Sequence, residues 1–107
     1  MSNLEEKDIE QLTEDVLMDL GISPCNKGFS YIVMAIPYFH ERKSMRRVYF
    51  DLAEFNNDTI SRVERAIRHS FETGNKEKMD RYFGCVRRNN ESLLSVLNIK
   101  IRRLIEK

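Results

Sequence analysis

Glycine and proline are scarce in this chain, four and two among 107 residues. An all-β fold needs turn residues roughly every 8–12 positions, so the scarcity excludes a sandwich or barrel and points to helix. Long apolar runs are missing too. None approaches the roughly 20 residues that a membrane-spanning helix requires, and no membrane partner is expected. The N-terminal Met1-Ser2-Asn3-Leu4-Glu5-Glu6-Lys7-Asp8 is acidic and carries no apolar stretch of the kind found in a secretory signal. A cytoplasmic location is the expectation.

The two cysteines, Cys25 and Cys85, stand far apart without a CxxC partner. That argues against a disulfide framework and for reduced, partly buried thiols. With His40 and His69 they show no metal-ligand spacing, so neither a metal nor another cofactor is expected. There is no nucleophile beside a base, no glycine-rich phosphate loop and no pair of carboxylates at a plausible cleft. The chain does not read as an enzyme.

What remains is ordinary for a globular protein: 41% hydrophobic and 33% charged residues, with a length that fits one domain over residues 1–107. The net charge of +1 conceals an asymmetry. Residues 1–20 hold seven acids (Glu5, Glu6, Asp8, Glu10, Glu14, Asp15 and Asp19) against one lysine, and the rest of the chain carries 17 basic and 10 acidic residues. A basic body behind an acidic leading helix suits a polyanion, although a salt-bridged surface has the same composition.

Periodicity predicts about six helices in a compact all-α bundle. The first, about 4–20, aligns Ile9, Leu12, Val16, Leu17 and Leu20, with Gly21 placed as a C-terminal cap. The second runs from Pro24 or Lys27 to His40. Ser23 is placed to cap it, and Pro37 is expected to kink or end it. The stretch His40-Glu41-Arg42-Lys43-Ser44 reads as a connection. A third helix over about 44–55 places Met45, Val48, Leu52 and Phe55 on one face. Asn56-Asn57-Asp58-Thr59 breaks it, and Asp58 or Thr59 caps a fourth helix to about Glu72. A short helix over 76–83 ends at Gly84. The last starts near Asn90 and aligns Leu93, Leu94, Leu97, Ile101, Leu104 and Ile105.

Helix, tight polar turn, helix across 44–72 is the outline of a helix-turn-helix, with small Ala53 where the two helices must approach. At 100° per residue, Ile60, Val63, Ala66, Ile67, Ser70 and Phe71 gather on one arc of the fourth helix. Ser61, Arg62, Glu64, Arg65, Arg68, His69 and Glu72 occupy the other. Arginine can donate two hydrogen bonds to guanine, and a carboxylate can accept from cytosine N4. Arg62 and His69 can reach phosphates, which fix register without reading sequence. The same face also fits plain solvation, with Glu64 and Arg68 paired at i,i+4. Pattern alone leaves both readings open. The Arg87-Arg88 and Arg102-Arg103 pairs are open in the same way, and the aromatics at helical spacing, Tyr31 and Phe83 among them, read as core.

The string Ser61-Arg62-Val63-Glu64-Arg65-Ala66-Ile67-Arg68-His69 resembles the recognition helix of the DNA-binding effector domain family of stage-zero sporulation response regulators, from endospore-forming bacteria. Weaker similarity covers Gly21-Ile22, Lys27-Gly28-Phe29, Ala35-Ile36, Tyr49, Asp51, Ala53, Asn57, Thr59, Gly74-Asn75, Phe83-Gly84, Asn90 and Leu93, and so extends from the end of the first helix onward. The resemblance implies a six-helix transcription regulator that binds double-stranded DNA. Glu64, Arg65 and Arg68 would face base edges, while Ser61, Arg62, His69, Asn57 and Thr59 would meet the backbone. It also implies self-association side by side on tandem sites and contact with RNA polymerase. No receiver domain precedes the similarity, so the family's phosphorylation switch is not expected within this chain. The acidic first helix, and a connection before the third helix that is shorter than in the family, motivate an alternative. In it the chain is an interaction protein that modulates or competes with a full-length sporulation regulator.

Overall fold

Four of the six helices begin where a short polar side chain takes up a free backbone amide. Ser44 accepts from the Arg47 N–H, Thr59 from Arg62, Asn75 from Lys78 and Asn89 from Ser92. Each bond satisfies one of the donors that the first turn of a helix leaves without a partner. The elements so defined are α1 (Asn3–Asp19), α2 (Lys27–His40), α3 (Met45–Asn56), α4 (Ile60–Glu72), α5 (Lys76–Phe83) and α6 (Asn90–Ile105). The structure is a computed structural model that describes residues 3–40 and 44–106, without the side chains at 3–6 and 38–40. The connection expected at 40–44 thus lies largely outside the described residues. Ser44 is a cap and His40 still belongs to α2.

The first interhelical turn forms as anticipated. Gly21 adopts φ +85, and the Ile22 amide reaches back to the Leu17 carbonyl at 3.0 Å. Only a residue without Cβ takes that left-handed conformation freely. Ser23 caps no helix; its hydroxyl accepts from the Cys25 amide, and α2 starts at Lys27.

α2 lies at the centre and touches α1, α3, α4 and α6, most extensively α4. Phe29, Tyr31, Ile32, Val33, Ala35 and Ile36 are all buried, so it is apolar over most of its circumference. Around it the core gathers Ile9, Leu17 and Leu20 of α1, Val48 and Leu52 of α3, Val63 and Ile67 of α4, and Leu94, Leu97 and Ile101 of α6. Pro37 does not end α2, which continues to His40. An interior proline loses one backbone hydrogen bond and crowds the preceding turn, at roughly 3 kcal/mol, without forbidding the helix.

Three other expectations need correction. Phe55 is 76% exposed. The covered arc of α3 is centred between Leu52 and Asn56, which leaves Phe55 at its rim. Leu104, in the last turn of α6, is half-exposed, at the edge of the core that its neighbour Ile105 still touches. Both thiols are exposed rather than half-buried, because Cys25 and Cys85 sit in turns with no apolar face around them.

Candidate nucleic-acid interface

Between α3 and α4 the chain turns over three residues. Asn57 takes φ 54 and ψ 49, the left-handed region that asparagine tolerates better than most residues. The Asp58 amide bonds back to the Ala53 carbonyl at 2.8 Å, closing the end of α3. Ala53 is buried there, as its size suggested. The Thr59 hydroxyl then starts α4.

Asp58 anchors this turn to the centre of the molecule. Its carboxylate is 4% exposed and accepts a 2.6 Å hydrogen bond from the Tyr31 hydroxyl of α2. The Thr59 amide donates to its other oxygen at 2.8 Å, and Lys27 lies at 3.4 Å. The Tyr31 hydroxyl, then the Thr59 amide, hold the carboxyl below the usual range, with Lys27 adding and partial burial opposing. Burial first, and then the bond to a charged acceptor, push the Tyr31 hydroxyl up to about 12. Nothing in the sequence advertised this link, because Tyr31 sits in a helix that is apolar nearly all round.

The inner face of α4 meets α2 with almost no gap. Val63, Ile67, Ser70 and Phe71 are buried. A methyl group added at Gly28 would overlap the Ala66 carbonyl oxygen and the Ser70 hydroxyl. Glycine at the start of α2 is therefore what lets the two backbones approach so closely. Ile60, expected on this face, is 41% exposed at the first residue of α4, one turn before the fully buried Val63.

The outer face carries the residues singled out from sequence. Ser61, Arg62, Arg65, Arg68 and His69 are exposed and Glu64 is half-exposed. Glu64 and Arg68 form the i,i+4 pair, with Arg68 Nη1 at 2.6 Å from Glu64 Oε2. Arg62 extends toward Asp58 at 4.0 Å, its side chain 76% exposed. Asn57 and Thr59 are exposed beside this face at the start of α4, each with a local role in ending or starting a helix. The eight candidate positions thus fall on α4 and the turn that leads into it.

Neighbouring cations are mostly tied down. Arg47 lies 3.2 Å from Asp51, and its guanidinium stacks over Phe50 at 5.3 Å. Asp80 takes both Arg88, at 2.8 Å, and Lys76, at 3.3 Å; these two bonds hold its carboxyl below the usual range. One contact escaped the sequence reading altogether. Asn90, the first residue of α6, is buried and donates to the Tyr49 hydroxyl at 3.0 Å and the Glu64 backbone carbonyl at 3.1 Å.

A family model described as sporulation initiation factor Spo0A C terminal matches residues 13–101. The chain belongs to the Spo0A C-terminal domain family. The match begins inside α1, earlier than the resemblance seen in the sequence, and ends in α6. Spo0A C-terminal domains are DNA-binding regulatory domains of the helix-turn-helix class, and α3, the 57–59 turn and α4 supply that outline here. No helix among the described residues is long and apolar enough to cross a membrane.

Proposed function

We propose that this chain is a sequence-specific transcription regulator whose α4 enters the major groove of double-stranded DNA. Arg65 and Arg68 read guanines, and Glu64 both selects a base pair and orients Arg68. Ser61, Arg62, His69, Asn57 and Thr59 meet the phosphate backbone. On this reading residues 1–107 act as one DNA-binding unit, at work with the chromosome in the cytoplasm.

The observation that carries the reading is the Glu64–Arg68 pair on an exposed helix face in a DNA-binding family. An exposed pair of this kind contributes only about 0.3–0.5 kcal/mol to folding, so stability is a weak reason for it. Arginine has five N–H donors in a fixed fork, and the bond from Nη1 to Glu64 leaves donors free for guanine O6 and N7. A carboxylate beside phosphates weakens general affinity, which makes sense where base selection is gained.

The test is electrophoretic titration at fixed salt on a duplex selected from a random pool and on its scrambled counterpart. Arg68→Ala should cost about 1–3 kcal/mol on the selected duplex and relax preference at one position. Equal loss on both duplexes would show that Arg68 touches phosphate alone.

A second reading gives the chain a protein partner: another copy on a tandem site, RNA polymerase, or a full-length sporulation regulator. Ile99 and Leu104 on α6, about half exposed, favour it, as does the acidic outer side of α1. Sedimentation with and without the selected duplex measures self-association directly. Co-purification with a full-length regulator in the absence of DNA would support the competitor role.

A further inference from the structure

We propose that Asn90 is a positioning residue for base reading, fixing the roll of α4 about its own axis. The proposal rests on the reading of α4 given above and adds a determinant that lies on another helix and touches no DNA.

Asn90 is 6% exposed, and both hydrogens of its side-chain amide are used. One goes to the Tyr49 hydroxyl in α3, and the other to the main-chain carbonyl of Glu64, midway along the reading face of α4. Chemistry fixes the orientation of this amide. A flipped side chain would set its oxygen against the Glu64 carbonyl, acceptor against acceptor, in a buried place where neither could turn to water. The Glu64 carbonyl has a second lone pair, so the bond from Asn90 does not compete with the helix. One side chain thus ties together both helices of the helix-turn-helix and the start of α6.

This contact is complementary to the others that hold α4. The Thr59 cap and Asp58 fix where α4 starts. Close contact at Gly28 fixes its distance from α2. Neither sets rotation about the axis; the buried Val63 and Ile67 turn the polar arc of α4 outward, and the hydrogen bond to a backbone atom on the flank of the helix sets the fine angle at Glu64. Bidentate recognition of a base edge tolerates only about 0.5 Å and 10–20° of error, whereas long cationic side chains follow a phosphate that has moved. Loosening the roll should therefore cost selectivity before it costs general affinity.

The experiment compares the unmodified chain with Asn90→Ala, Tyr49→Phe, Arg68→Ala and Asn90→Ala/Arg68→Ala on the selected and scrambled duplexes. Melting curves confirm that each variant is folded at the assay temperature. Asn90→Ala should lower affinity for the selected duplex about tenfold, within the roughly five- to 150-fold range of Arg68→Ala, and leave the scrambled duplex unchanged. In the Arg68→Ala background the same change should cost clearly less than in the unmodified chain, because only Arg65 and Glu64 remain to be misaligned. Tyr49→Phe keeps the ring and removes one of the two acceptors, so it should give a smaller loss of the same kind and still test the idea if Asn90→Ala does not fold.

Equal losses on both duplexes, or full additivity with Arg68→Ala, would overturn the proposal and leave Asn90 a stabilising contact only. If Arg68→Ala itself leaves the preference intact, the reading of α4 fails first, and that failure is visible without any Asn90 variant. A chain that recovers no preferred duplex removes both.

Discussion

On its inner side α4 lays Val63, Ile67, Ser70 and Phe71 against α2, close enough that glycine is required at position 28. On its outer side the same helix stands Ser61, Arg62, Arg65, Arg68 and His69 in water, with one exposed ion pair between Glu64 and Arg68. The inner side is specified by volume: atoms either fit or collide. The outer side is specified by charge and reach, and folding barely depends on which polar residues stand there. Substitutions on the two sides should accordingly separate into effects on stability and effects on DNA, with the turn at Asp58 coupling them.

The largest separation is expected at Gly28. Alanine in a helix is favoured over glycine by about 1 kcal/mol, so Gly28→Ala would stabilise an uncrowded α2. Here the added methyl meets the Ala66 backbone carbonyl, which cannot move without shifting α4. Overpacking against backbone sits at the upper end of about 1–3 kcal/mol, and the collision should win by about 1–2 kcal/mol in denaturant midpoint measurements. A more stable variant would mean that α2 and α4 do not touch, and the contrast between the two sides of α4 would collapse.

Next comes the Tyr31–Asp58 link, which should give stability a pH dependence at both ends. Asp58 has a lowered folded value, so its contribution is complete above the unfolded carboxylate value of about 3.9 and is lost as pH falls through the lower folded one. The Tyr31 hydroxyl has a raised value, about 12 in the folded chain. Its contribution holds below the unfolded value of about 10 and is lost as pH rises from there. Tyr31→Phe removes the alkaline dependence due to this residue and weakens the acid one, which urea titrations at a series of pH values would record. Unchanged curves would disconnect the turn from α2.

Smaller still for folding is Glu64→Gln. Losing one exposed ion pair should move stability by no more than about 0.5 kcal/mol. On DNA the expected change is qualitative: tighter binding to the scrambled duplex, as a negative charge near phosphates is removed, and a poorer ratio of selected to scrambled affinity. A Glu64→Gln chain that is markedly less stable would place the outer face among the determinants of the fold.

The two sides also differ in how far the sequence discloses them. The stripe through Val63, Ile67 and Phe71 and the polar arc through Arg65 and Arg68 are both visible in a 3.6-residue period. So are Thr59 as a cap and Asn57 in the turn, because capping is local. The Asn90 contact with the Glu64 carbonyl leaves no such trace, since every residue has a carbonyl and nothing marks the one that will be met. The Tyr31–Asp58 bond is hidden for a related reason: a tyrosine in an apolar helix looks like core until its hydroxyl finds a partner from another element. Gly28 did carry a signal, as a helix-disfavouring residue at the start of a strongly apolar helix, but only the position of Ala66 gives it meaning. The resemblance of the 61–69 string to a recognition helix pointed to one face of α4, and the tertiary contacts that hold this helix had to come from the structure.

Ser70 offers the finest test of the claim that the inner side of α4 is held by fit alone. Its hydroxyl is fully buried and finds no hydrogen-bond partner among the described residues. A buried polar group without a partner costs about 1–3 kcal/mol, and its replacement by an apolar group of similar shape is close to neutral or stabilising. Ser70→Ala should therefore leave the denaturant midpoint unchanged or raise it slightly, the reverse of the usual result in a core. The same substitution removes one of the three atoms that a methyl at Gly28 would strike and leaves the carbon and oxygen of the Ala66 carbonyl. Gly28→Ala/Ser70→Ala should then be less destabilised than the two single changes predict, yet still below the unmodified chain. Additive effects would mean that Ser70 does not face Gly28; a clear loss from Ser70→Ala alone would mean that its hydroxyl has a partner and that the inner side, too, relies on polar contacts.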